Sequence, residues 1–198
     1  MKNKSLNDKG FSLIELIVAV LIMAIIAGAA IFAYSSLFAT EIKAASLRVT
    51  DCMKQAKTNA MALANDLRSA GTYYETDIYA KFYVSDDSQY ISICSGTGLD
   101  TDTVLFDNKV GDGVRTQFCK VKPSGDLEPV NENDSDKVFV YFKKSTGGIA
   151  GFKVVSASGG TSRYLSSELK VIKVSNEAKS KSLNVIMVDI TGRCYIDE

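Results

Sequence analysis

Between residues 11 and 39 the chain reads FSLIELIVAVLIMAIIAGAAIFAYSSLFA, apolar on every side of a helix. Residues 16–33 carry no charge, and about 20 apolar residues suffice to cross the hydrocarbon core of a bilayer. Only Glu15 is charged within 11–39. Beyond residue 40 the apolar positions narrow to a stripe. Ile42, Ala45, Val49, Cys52, Ala56, Ala60, Leu63 and Leu67 recur at spacings of three and four. Lys43, Arg48, Asp51, Lys54, Lys57 and Asp66 fall largely outside it. Ala70-Gly71 supplies a stop signal. The pattern predicts one helix over residues 11–70, apolar all round in its first half and amphipathic in its second.

After Thr72 the period changes to two. Ile78, Ala80, Phe82 and Val84 share one face of a predicted strand. Further strands are expected at 90–94, 103–106, 114–121, 137–142, 151–156, 169–174 and 183–190. Asp86-Asp87-Ser88, Gly111-Asp112-Gly113, Pro123-Ser124-Gly125, Gly147-Gly148 and Gly159-Gly160 are turn signals between them. Closely spaced strands without a second helical pattern predict an antiparallel sheet. A long N-terminal helix packed on it makes the fold α+β.

Composition narrows the chemistry. The 198 residues are 46% hydrophobic and 23% charged, with no net charge. That balance gives no electrostatic case for nucleic acid as a partner. The chain has no His, the commonest general base and metal ligand, and carries no P-loop, nucleophile-elbow or zincin motif. No catalytic residue, metal site or cofactor is expected. Asp100, Asp102, Asp107 and Asp112 lack the spacing of a calcium loop and read as solvated turns. Tyr73, Tyr74, Tyr79 and Tyr83 read as sheet surface or core. Cys52, Cys94, Cys119 and Cys194 form no metal-binding pair. In an exported domain their even number suits at least one disulfide, with three connectivities open for four bridged cysteines; buried thiols are the alternative.

The leader MKNKSLNDKG carries Lys2, Lys4 and Lys9 against Asp8, which keeps that end cytoplasmic and sends the rest across. A cleaved secretory signal fits poorly, because apolar character continues past the small residues at 27–30. A plain signal anchor fits length and charge. It leaves Gly10-Phe11 and Glu15 without explanation.

Basic leader, Gly10, Phe11, Glu15 and the apolar run 16–33 together resemble the N-terminal signal of type IV prepilins and type II secretion pseudopilins. The resemblance implies cleavage after Gly10 by a prepilin peptidase, N-methylation of Phe11, and retention of the helix. It implies a subunit first held in the inner (cytoplasmic) membrane and then assembled with copies of itself or related pilins by pilus or secretion machinery. The expected organisation is a leader at 1–10, a transmembrane and filament-core helix at 11–39, an amphipathic helix at 40–71 and a β-rich extracytoplasmic head at 72–198. The segment 185–196 resembles the C-terminal strand-turn-strand of some minor pilins and pseudopilins. Unlike many pilins, the chain has no proline before Pro123, and Gly28 is the one weak point of the helix.

Glu15 has a physical role in that scheme. A carboxylate at the centre of a bilayer costs about 2.5–3.5 kcal/mol on insertion scales, and less near the interface. Cleavage before Phe11 creates a cationic α-amine. On a neighbouring subunit that amine is a partner for Glu15, and the pair forms only at the correct axial offset. The competing reading is an extracytoplasmic enzyme or binding domain on an uncleaved anchor.

Overall fold

The computed structural model describes residues 12–63, 77–96, 102–131, 133, 135–176 and 181–197. The chain divides into two compact units, Met1–Ala39 and Thr40–Glu198. Helix α1 (Leu13–Leu63, 51 residues) contributes to both. The expected stop at Ala70-Gly71 lies outside the described residues.

In the first unit, α1 begins with Ser12 as its cap. The amides of Glu15 and Leu16 both donate to the Ser12 carbonyl, at 3.0 and 3.2 Å. The stretch Leu13–Ile31 is long and apolar enough to cross a membrane.

In the second unit, the helical stripe becomes core. Ile42, Ala45, Val49, Cys52, Met53, Ala56 and Ala60 are buried in one hydrophobic cluster with residues from the strands. Three alanines on that face let the helix backbone approach closely. The strands, all antiparallel to their neighbours, divide between two sheets rather than one. The first has the order β3-β2-β1-β6-β7-β8, with β1 Asp77–Ser85, β2 Ser88–Gly96, β3 Thr103–Asp112, β6 Lys137–Phe142, β7 Ile149–Val155 and β8 Thr161–Leu165. The second has the order β11-β10-β9-β4-β5, with β4 Val114–Val121, β5 Leu127–Pro129, β9 Leu169–Asn176, β10 Ser182–Val188 and β11 Arg193–Asp197.

Period-two alternation explains which residues join the sheets. Ile78, Ala80 and Phe82 of β1 point into the common core, while Tyr79 points to the outer face of the first sheet. Phe118 of β4 links the two sheets through edge contacts. Its ring lies 4.9 Å from Phe82 of β1, at 85°, and 5.9 Å from Phe152 of β7. A second link lies at the turns. The Ile149 amide donates to the Asp189 carbonyl at 2.8 Å, and Lys57 Nζ of α1 donates to the Thr191 carbonyl at 2.7 Å. At this junction Gly192 has φ 59°, and a side chain there would collide with the Gly147 carbonyl oxygen, so only glycine fits.

Candidate processing and assembly segment

The candidate site is the start of α1 and the apolar helix that follows. Gly10 and Phe11, the expected cut and its methylated product, lie outside the described residues. Glu15 is described, and its carboxylate is engaged. The Ser12 amide donates to Glu15 Oε2 at 2.8 Å, and the Glu15 amide donates to Ser12 Oγ at 3.3 Å. This reciprocal pair is a capping box, in which each side chain accepts from an amide at the helix start. Sequence reasoning passed over Ser12, although Ser-x-x-Glu ahead of an apolar run signals such a cap. A carboxylate accepts on both oxygens, so the cap does not exhaust the accepting capacity of Glu15.

Behind the cap, apolar side chains emerge on all sides. Leu13 is 77% exposed, and Leu16, Val20, Met23, Ile26 and Ile31 are exposed as well. A helix with no polar face is made for lipid or for packing among other helices. The prokaryotic N-terminal methylation motif matches residues 5–31. This segment is a type IV pilin or pseudopilin cleavage signal. The motif takes in Gly10, Phe11, Ser12 and Glu15 and runs on into the apolar helix as far as Ile31. It covers none of the β-rich unit. No curated protein and no solved structure matches the chain.

The other residues singled out by sequence fall away from this motif. All four cysteines are free, buried thiols, where at least one disulfide was the expectation. Their placement gives a reason. Cys52 on α1 and Cys194 on β11 belong to the common core, whereas Cys94 sits with Tyr79 and Phe139 on the outer face of the first sheet. Cys119 follows Phe118 in β4, and alternation turns it away from that core. Burial pushes the Cys52 thiol up to about 11 and the Cys194 thiol up to about 12.

The acidic residues work within the sheet surface. Asp102 accepts from Tyr79 OH at 2.9 Å, and burial together with this bond raises the Tyr79 pKa. Asp107 accepts from Tyr83 OH at 3.0 Å and from Ser92 Oγ at 2.7 Å. Asp112 pairs with Lys109 and accepts from Ser88 Oγ at 2.6 Å, which holds its carboxyl below the usual range. Asp100, Tyr73 and Tyr74 lie outside the described residues. Among the described residues no group of three or more potential donors could hold a metal ion.

Proposed function

We propose that the chain is the precursor of a pilin-like structural subunit with no catalytic role. A prepilin peptidase cuts it after Gly10 and methylates the new amine of Phe11. The mature chain stays in the inner membrane through the helix that begins at Leu13, with residues 72–198 as an extracytoplasmic head. It then polymerises with copies of itself or with related pilins, driven by the assembly machinery of a pilus or secretion system. The observation that carries this reading is the methylation motif over residues 5–31, coinciding with a helix whose apolar side chains are exposed on every side.

The energetics favour retention of that helix after processing. Each buried apolar side chain contributes about 1.5–3 kcal/mol, so moving Leu13–Ile31 from lipid to a helix bundle is feasible, whereas exposing it to water is not. Glu15 supplies the selectivity. Its carboxylate, already turned toward the helix start by the cap, meets the Phe11 amine of a neighbour at one axial offset and is left unpaired at others. The N-terminus of the mature chain tests this reading. A start at methylated Phe11 supports it, and an intact Met1 or a cut after Ala29 or Ala30 overturns it in favour of an anchored or secreted domain.

A further inference from the structure

Strands β3 and β8 are the two edges of the six-stranded sheet, and among the described residues no further strand pairs with either. At one, Val104, Leu105 and Phe106 of β3 are 54, 40 and 47% exposed. At the other, Leu165 of β8 is 68% exposed. An exposed apolar edge strand is a template for another strand, and proteins normally blunt it. Arg48 of α1 donates to the Val110 carbonyl at 2.7 Å and so closes the far end of β3.

We propose that β8 of one copy adds to β3 of the next, continuing the first sheet from head to head. Direction permits it. Six antiparallel strands leave β3 and β8 pointing opposite ways, so two copies in the same orientation meet edge to edge as an antiparallel pair.

Hydrogen-bond phase permits it too. The β1–β2 hairpin turns on Asp86 and Asp87, with φ 47° and 56°, between the paired residues Ser85 and Ser88. In a two-residue turn of this kind the flanking residues exchange both backbone bonds, and so does every second pair, including Lys81–Ser92. Ser92 therefore turns its backbone groups toward β1. Its partner on the other side, Asp107, turns its own away from β2. At the opposite edge, the Leu165 amide donates to Glu168 Oε2 and its carbonyl accepts from the Glu168 amide. These groups point away from β7, and so do those of Arg163, two residues earlier.

Placing Arg163 opposite Asp107 then satisfies both phase and chemistry. Both side chains lie on the outer face: Asp107 bonds Ser92 there, and Arg163 pairs with Lys153, which lies over the outer Phe139 ring. The same register sets Tyr164 opposite Phe106, both on the core side through their partners Phe152 and Ile93. It sets Thr161 opposite Lys109, and the pairing ends after Tyr164, where β3 bulges at Leu105 and Glu168 already holds both backbone groups of Leu165. Opposite charges and an aromatic pair face one another, combinations that stabilise cross-strand contacts. The contact uses different surfaces on the two copies, so it extends into an open array rather than closing as a two-fold dimer. Its place in a filament rests on the pilin-like reading; the strand pairing itself rests on the head.

The test uses the full chain with Lys109→Cys and Thr161→Cys, oxidised in membranes or filaments and run without reductant. Directly opposed residues in an antiparallel pair sit about 4.5–5.5 Å apart, within disulfide range. The expected result is a ladder of dimers, trimers and higher species from the double variant and monomer from each single variant. Adding Arg163→Glu to the double variant should lower the cross-linked fraction several-fold. A double variant that stays monomeric, a Lys109→Cys chain that dimerises alone, or an Arg163→Glu chain that cross-links undiminished overturns the pairing. The mature N-terminus, read on the same samples, separates the two ideas. A Phe11 start without a ladder sinks the pairing alone, and an intact Met1 with a ladder sinks the filament and leaves the pairing standing.

Discussion

Ser12 and Glu15 cap one another: the Ser12 amide lies 2.8 Å from Glu15 Oε2, and the Glu15 amide 3.3 Å from Ser12 Oγ. Glu15 therefore has a structural task in a single chain, before any neighbour is present. The cap and the proposed inter-subunit charge pair are separable. Glutamine fits the capping box as glutamate does, but it carries no charge. Glu15→Gln should keep the helix start and lose assembly at least tenfold, measured as the filament-to-membrane ratio. Glu15→Ala should lose both, with the helix start destabilised by roughly 0.5–2 kcal/mol. Wild-type assembly by Glu15→Gln would reduce Glu15 to a cap.

Phe118 is one of the side chains that join the two sheets, because it touches Phe82 and Phe152 at once. Phe118→Ala should cost about 3–5 kcal/mol, the range for a fully buried aromatic whose cavity cannot collapse. Urea unfolding of the full chain in detergent measures it as a lower midpoint with little change in slope. A shift worth less than about 1 kcal/mol would mean the sheets are held elsewhere.

The thiols give a pH dependence with a definite sign. Burial raises Cys52 from 9.0 to about 11 and Cys194 to about 12, so the folded chain keeps protons that the unfolded chain releases. Their contribution is complete below pH 9 and is lost as pH rises through the folded values. Stability should be flat near pH 7–8 and fall above about pH 9, by about 1.4 kcal/mol per pH unit for each thiol. Cys194→Ala should reduce that slope. Stability that rises with pH above 9 would contradict the burial of these groups. A disulfide reagent should find no reactive thiol in the folded chain and all four cysteines after unfolding without reductant.

Much of the fold was legible because burial imposes a period. The stripe Ile42 to Ala60 is the face that packs on the strands, and the strands at 114–121 and 137–142 have the expected bounds. What the pattern hid lies at edges and turns. Strand β8, Thr-Ser-Arg-Tyr-Leu, borders solvent and so carries no apolar alternation. Strand β5 has three residues, too few for a period. The strand expected to reach Ile190 ends at Val188, because Asp189–Gly192 turns the chain into β11. The division into two sheets depends on long-range pairing, which alternation within a strand does not specify. At the functional end, the glycine, phenylalanine and glutamate spacing was readable, but the role of Ser12 depends on a hydrogen bond to Glu15.

The mass and terminal sequence of the chain recovered from the membrane of its producing cell test the central claim most directly. The account predicts a chain that lacks residues 1–10, begins at Phe11 and carries one methyl group on its α-amine, with the apolar helix intact. A chain that keeps Met1, or that begins after the small residues at 27–30, would contradict it.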